Sequence, residues 1–294
     1  MPKEERMKIK VVTDSCCDLP FEYTSAHNIQ VIPLTIIMNG EEKKDDLAET
    51  MQYESFYEAI LNGAMPQTAQ ANVYQFAEIF RKCAQNSEPV IYIGFSSALS
   101  GCVNSARMAL EEVKEEYPEA EMAVVDSKCA SMGLGLLIHY ALKQIKDGMN
   151  LQELVEWIEA NKLHIIHWFT VADLNHLFRG GRVSKAAATF GTLLQIKPVM
   201  HVDDEGRLIP VEKVKGRKKS LKALVEKLKE DIVDPENAEV FISHGGCLEE
   251  AEEVKKMILE ECPVKEIKIN YVGAAVGSHS GPGTMAIFFK GVKR

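Results

Sequence analysis

Apolar positions along the chain fall into two alternating patterns. Short β-branched runs at Ile9 to Thr13, Val31 to Ile37, Val90 to Phe95, Met122 to Asp126, His164 to Thr170, Val240 to Ser243 and Ile267 to Val272 read as strands. Between most of them, apolar residues recur at three- and four-residue spacing. This predicts helices over Glu54 to Asn62, Val73 to Gln85, Asn104 to Glu116, Ala130 to Lys146 and Leu151 to Ala160, with breaks at Gly63, Pro118 and Gly148. Such alternation is the signature of layered α/β architecture, and in the first half it predicts a parallel sheet wrapped by helices. Past about residue 170 the pattern changes. Ile196 to Val202, Asp203-Asp-Glu-Gly206 and Leu208 to Val214 read as a hairpin, and two further strands enclose a helix from Leu248 to Glu260. The reading is therefore two α/β domains: residues 1–165, a three-layer unit on a parallel sheet, and residues 166–294, built on a mixed sheet. No low-complexity linker or repeat separates them, so they are expected to pack tightly.

Composition narrows the class. A chain of 294 residues, 46% of them apolar, can bury a full core, which excludes disorder. No uninterrupted apolar run reaches the roughly 18 residues of a membrane span. The start, Met1-Pro-Lys-Glu-Glu-Arg-Met-Lys8, lacks the apolar centre of a signal peptide, so a cytoplasmic location is expected. The seven cysteines are odd in number, form no Cys-x-x-Cys pair and include the adjacent Cys16 and Cys17. They read as reduced, mostly buried thiols, with neither a disulfide framework nor a metal site. A formal charge of −9 argues against nucleic-acid binding, though it leaves room for a local basic patch.

Polar clusters interrupt this scaffold. In Val90-Ile-Tyr-Ile-Gly-Phe-Ser-Ser-Ala-Leu-Ser-Gly101 an apolar strand breaks into Ser96, Ser97 and Ser100 just before a helix, where hydroxyls and unpaired backbone N–H groups can meet an anion. A helix cap and a turn would use the same residues. Asp14 and Ser15 close the first strand, and Asp18 or Ser15 can cap the helix after it. Pro66-Gln-Thr-Ala-Gln-Ala-Asn72 has no helical period; Thr68 there fits a turn, and Asn72 is a good N-cap. Gly277-Ser-His-Ser-Gly-Pro-Gly-Thr284 predicts a tightly bent backbone with His279 at its centre, either satisfied locally or part of a site. Arg179-Gly-Gly-Arg182 and the group Lys213 to Lys219, which contains Arg217, suit an anion as well as a solvated face.

Taken in order, Val-Thr-Asp-Ser with Asp18-Leu-Pro, Val31-Ile-Pro-Leu, Pro66-Gln-Thr, Ser96-Ser-Ala-Leu-Ser-Gly101, Val125-Asp-Ser127, Arg179-Gly-Gly-Arg-Val-Ser184 and His279-Ser-Gly-Pro-Gly283 resemble the DegV family of bacterial fatty-acid-binding proteins. The likeness runs from about residue 8 to the C-terminus. It implies a two-domain α/β protein with a lipid tunnel between the domains, holding one long-chain fatty acid such as palmitate and using no cofactor. It further implies a non-catalytic role as the lipid-carrying subunit of a fatty acid kinase, presenting the carboxylate to an ATP-binding partner that makes acyl phosphate. Transient contact with a membrane surface belongs to the same expectation. By that resemblance Thr68 and Ser100 bind the carboxylate, Ser97 lies close by, His279 acts behind them or through water, and Arg179, Arg182 and Arg217 face the partner. Where the family commonly has Ser-Gln-Pro-Ser after Pro-Gln-Thr, this chain has Ala69-Gln-Ala-Asn72, one hydroxyl fewer and a less constrained backbone.

Two other classes compete. A serine hydrolase acting on a lipid-like ester would take a serine of the cluster as nucleophile, His279 as base and Asp14 or Asp126 as orienter. Gly94-Phe-Ser-Ser-Ala98, however, is not a Gly-x-Ser-x-Gly elbow. A nucleotide-binding enzyme is disfavoured because the chain has no Gly-x-x-x-x-Gly-Lys-Ser/Thr motif, and no Gly-x-Gly-x-x-Gly follows the first strand.

Overall fold

The computed structural model describes residues 9–188 and 195–294, with the side chains of residues 187 and 188 left aside. The first half runs β1 (Lys10–Asp14), a 3-10 turn (Ser15–Cys17), α1 (Phe21–Ala26), β2 (Gln30–Ile32), β3 (Leu34–Met38), β4 (Glu41–Asp45) and α2 (Tyr53–Leu61). It continues with β5 (Gln67–Ala69), α3 (Val73–Gln85), β6 (Val90–Gly94), α4 (Cys102–Glu116), β7 (Met122–Asp126), α5 (Met132–Asp147) and α6 (Leu151–Asn161). Then come β8 (Ile165–Thr170), α7 (Asn175–Arg179), α8 (Lys185–Ala188), β9 (Ile196–Val202), β10 (Leu208–Lys215) and α9 (Arg217–Asp231). The chain closes with β11 (Glu239–His244), α10 (Leu248–Glu261), β12 (Glu266–Tyr271), α11 (Ala274–Ser280) and β13 (Met285–Lys290).

A four-stranded parallel sheet, ordered β2-β1-β6-β7, carries the first half. Helices cover both its faces, so a strand such as β6 is apolar throughout; Val90, Ile91, Tyr92 and Ile93 are wholly buried. The single strand expected over Val31 to Ile37 is two. Pro33 has no N–H to continue the ladder, so Gln30–Ile32 pairs with β1 while Leu34–Met38 leaves to join a small antiparallel sheet, β4-β3-β5. Asn39 and Gly40, both at positive φ (55° and 81°), form the two-residue turn between β3 and β4.

The second half builds a six-stranded mixed sheet, β10-β9-β8-β13-β11-β12, from residue 165 onward. Its central strands β8, β13 and β11 alternate. Phe169, Phe241 and Phe288 face inward to the core shared with the first half, while Ile166, Trp168, Val240, Ile242 and Ile287 face outward under Leu224 and Leu228 of α9 and Val254 and Ile258 of α10. One apolar core thus runs without a break from the parallel sheet to the inner face of the mixed sheet. Helix α5 lies in the seam, packed on β8, β11 and β13. Its start must be slim, since a Cβ at Gly133 would stand 2.1 Å from Nε2 of His167.

Several local expectations are corrected. Neither Asp18 nor Ser15 caps α1. Asp14 caps the 3-10 turn by accepting from Cys16 N (3.1 Å), Ser15 Oγ accepts from Leu34 N (3.2 Å), and α1 begins after Pro20. The basic group Lys213 to Lys219 spans the end of β10 and the first turn of α9, a helix absent from those predicted. The segment around His279 is helical: Gly277 to Ser280 form the last turn of α11, and the bend falls at Gly281 and Gly283 (φ 78° and 73°). Gly277 is needed for packing, because a Cβ there would lie 2.5 Å from the Tyr57 hydroxyl. Six of the seven cysteines are buried and Cys247 is half-buried, all as free thiols.

Candidate ligand cavity

The inner face of the mixed sheet, α11, β5 and the β6–α4 loop line a cavity of about 420 Å³. Its walls are predominantly apolar, with Phe95, Leu99, Phe169, Val202, Val276 and Phe288 among them. This is the volume and the lining expected of a site for a small, largely apolar ligand.

Polar groups gather on this wall from four separate segments. Thr68 sits on β5, held opposite Ile36 of β3, and its Oγ1 lies 2.8 Å from Nε2 of His279 in the last turn of α11. Ser100 comes from the loop after β6; its Oγ accepts from Cys102 N (3.3 Å), which leaves its O–H free to donate into the cavity. Arg182 follows α7 and lines the same cavity, donating from Nε to Leu99 O (3.1 Å) and from Nη1 to Gly180 O. Burial, and then the nearby Arg182 guanidinium, push His279 down to about 4, so its imidazole is neutral near pH 7. With the proton on Nε2, His279 donates to Thr68 and releases the Thr68 hydroxyl to donate elsewhere. Gly180 makes room for the ring: a Cβ there would lie 2.2 Å from Nδ1.

A buried carboxylate supports this arrangement from behind. Asp45, at the end of β4, accepts from the Tyr53 hydroxyl (2.8 Å) and from Ala275 N (2.9 Å), fixing the start of the helix whose end carries His279. Burial pushes Asp45 up to about 6.

Thr68, Ser100 and His279 are therefore brought to one cavity, and Ser97 is not. The exposed Ser97 hydroxyl donates to Asp126 Oδ2 and accepts from Lys128 Nζ (3.1 Å), outside the cavity wall. Burial acts to raise Asp126, but hydrogen bonds from Lys128 and Ser97 outweigh it and hold the carboxyl below its ordinary value. Ser96 is wholly buried and donates to Gly206 O (2.9 Å), tying the loop to the β9–β10 hairpin. The three arginines lie apart. Arg182 is on the cavity wall, Arg179 is exposed on α7 with Nη2 3.0 Å from Nδ1 of His176, and Arg217 at the start of α9 pairs with Glu250 (2.6 Å). Sequence reasoning had not placed Gln70, Ser131 or Ser280 on the cavity wall, nor Arg182 there rather than on an outer face. No periodicity marks them; only Ser280 had a pointer, as the neighbour of His279.

The triad of a serine hydrolase is not assembled among the described residues. His279 pairs with Thr68 and with no carboxylate. Asp14 accepts from the Tyr92 hydroxyl (2.5 Å), Phe95 N (3.2 Å) and Cys16 N (3.1 Å), and Asp126 holds Ser97 without a histidine. Among the described residues no helix is long and apolar enough to cross a membrane.

The fold and cavity define a class: an α/β protein whose parallel and mixed sheets share one core, with a largely apolar cavity against that core and hydroxyl, imidazole and guanidinium groups on its wall. The chain matches the DegV family model, described as "uncharacterised protein, DegV family", over residues 8–291. It belongs to the DegV family. A DegV domain-containing protein of Clostridium perfringens is 43% identical over 284 residues, covering 97% of this chain and 98% of the relative. Among solved structures, a fatty-acid-binding DegV family protein from Thermus thermophilus superposes with a TM-score of 0.87 at 28% identity, over 97% of this chain and 100% of that one. DegV of Bacillus subtilis, a fatty acid binding protein, does so with a TM-score of 0.84 at 30% identity, over 97% and 99%. A stearic-acid-binding protein from Eubacterium ventriosum gives 0.87 at 27%, over 96% and 98%.

Proposed function

We propose that this protein binds one long-chain fatty acid in this cavity, with the carboxylate held by the hydroxyls of Thr68 and Ser100, and that it carries the lipid without transforming it. The observation that carries this reading is the meeting of Thr68, His279 and Ser100 on the wall of a 420 Å³ apolar chamber. The fatty-acid-binding relatives of the same fold support it. The neutral Thr68 and Ser100 hydroxyls suit a carboxylate that must later leave, each charge-assisted bond contributing on the order of 1.5–3 kcal/mol, while the Arg182 guanidinium on the same wall is engaged by the carbonyls of Leu99 and Gly180. The tail supplies more. At roughly 0.8 kcal/mol per buried CH₂, a palmitoyl chain gives on the order of 10 kcal/mol before ordering costs. Burial sets affinity and the hydroxyls set direction.

The finer role is presentation of the carboxylate to an ATP-binding fatty acid kinase partner. Arg179, exposed on α7 close in sequence to the cavity residue Arg182, suits contact with that partner's phosphates or acidic groups. Titrating lipid-free protein with palmitate by calorimetry tests the binding. Saturable one-to-one binding is expected, and no heat and no retained lipid would overturn the reading.

A further inference from the structure

The cavity has a direction, set by the strands that wall it. The Thr284 hydroxyl donates to the carbonyls of Ser280 (3.1 Å) and Gly281 (2.8 Å), so β13 sets out from the same last turn of α11 that carries His279. From there its wall residues are Ala286 and then Phe288, at successive two-residue steps of about 7 Å. Strand β8 runs the other way. Its wall residues Phe169 and His167 pair with Ala286 and Phe288, and its far end leads through α7 to Leu177 and Arg182 on the same cavity. Both strands therefore place the Ala286–Phe169 rung in the middle of the wall. The Phe288–His167 rung lies one step further from Thr68 and His279, about 14 Å from the Thr284 position.

That last rung is a floor. The next inward residue of β8, Ile165, is packed in the core at 1% exposure. His167 is pinned: Nε2 accepts from Ala130 N (3.1 Å), Nδ1 donates to Ile165 O (2.8 Å), and the start of α5 at Gly133 presses on the ring. Phe288 stands edge-on to it, with ring centroids 5.2 Å apart, and has the buried Phe241 as its neighbour on β11. Rings held this tightly do not give way cheaply. The middle rung is the opposite case. Ala286 sits on β13, inside the sheet between β8 and β11, where β-branched and aromatic residues are favoured and alanine is not. Its cross-strand neighbours are Phe169 and Ser243. A methyl group at that position leaves the space by which an acyl chain reaches the floor.

Resting on the fatty-acid reading above, we propose that the tail runs over Ala286 and that its methyl end comes to rest on Phe288 and His167, so that these residues fix the longest acid the protein holds.

The test is competition against labelled palmitate on lipid-free, full-length protein by the saturated acids laurate, myristate, palmitate, stearate, arachidate and behenate. Affinity should climb about fourfold per carbon to one optimum and fall beyond it. Phe288→Leu, which lowers the floor, should move the optimum to the next longer acid of the series, and Phe288→Trp to the next shorter. The two variants keep the test open if one of them fails to fold. Ala286→Leu, which fills the passage, should weaken palmitate by at least about tenfold. An affinity that climbs to behenate without a break, an optimum that stays put in a folded Phe288 variant, or palmitate binding unchanged in Ala286→Leu would each overturn the inference while leaving fatty-acid binding intact. Binding of none of these acids would overturn both.

Discussion

Replacing Thr68 by valine removes one hydroxyl while nearly preserving shape, and the consequence can be worked through. The carboxylate loses a charge-assisted bond of about 1.5–3 kcal/mol, and His279 Nε2, 2.8 Å from Oγ1 in the parent, loses its partner. Because the histidine loses its partner in free and bound protein alike, the affinity change is that of the carboxylate bond, a roughly 10- to 150-fold loss. The tail is untouched. Across lauric, myristic and palmitic acids, affinity should therefore climb by roughly fourfold per CH₂ in parent and variant alike, giving parallel lines offset by the clamp. Because His279 acts through Thr68, Thr68→Val/His279→Gln should bind about as weakly as Thr68→Val alone, and Thr68→Ser should recover most of the loss. Calorimetry on lipid-free protein reads all of these. Affinity for palmitate within twofold of the parent, or fully additive losses in the double variant, would refute the clamp.

Other consequences are equally open to measurement. Gly180→Ala puts a Cβ 2.2 Å from His279 Nδ1, so it should displace the ring and weaken palmitate binding about tenfold with little change in melting temperature; unchanged binding would count against the role of the imidazole. His279 sits at about 4 in the folded protein against an ordinary 6.5, so its neutral form contributes stability that is present above pH 6.5 and lost as pH falls towards 4. Denaturant melts at several pH values should show His279→Gln losing up to about 3 kcal/mol of that pH dependence, and identical pH slopes would argue that the ring is solvated. Arg179→Ala should leave lipid affinity unchanged but slow acyl-phosphate formation with the kinase partner, and full turnover at limiting protein would remove Arg179 from the contact.

What could be read from sequence follows from burial. Strands of the parallel sheet are buried on both faces and stand out as apolar runs, and the Asp203–Gly206 turn announces its hairpin. By contrast β4, Glu41–Asp45, is charged and mostly exposed, and carries no apolar alternation. Around His279 the glycines signalled a loop, but Gly277 is there so that a helix can approach Tyr57. Tertiary packing, not local turn preference, decided that segment. For the cavity, the family resemblance brought Thr68, Ser100 and His279 to notice, and the structure places all three on one wall. Ser97 is lost from the set because Asp126 and Lys128 at the end of β7 capture its hydroxyl, a contact between segments far apart in sequence. Arg182 read as an outer charge because sequence cannot show that Leu99 O and Gly180 O fold its guanidinium onto the cavity wall.

The most direct measurement is native mass spectrometry of the protein as purified from a bacterial host, followed by solvent extraction and chromatography of whatever is bound. One long-chain fatty acid per chain is predicted, retained by the parent and depleted in Thr68→Val. Protein of bare polypeptide mass that also takes up no added palmitate would contradict the account.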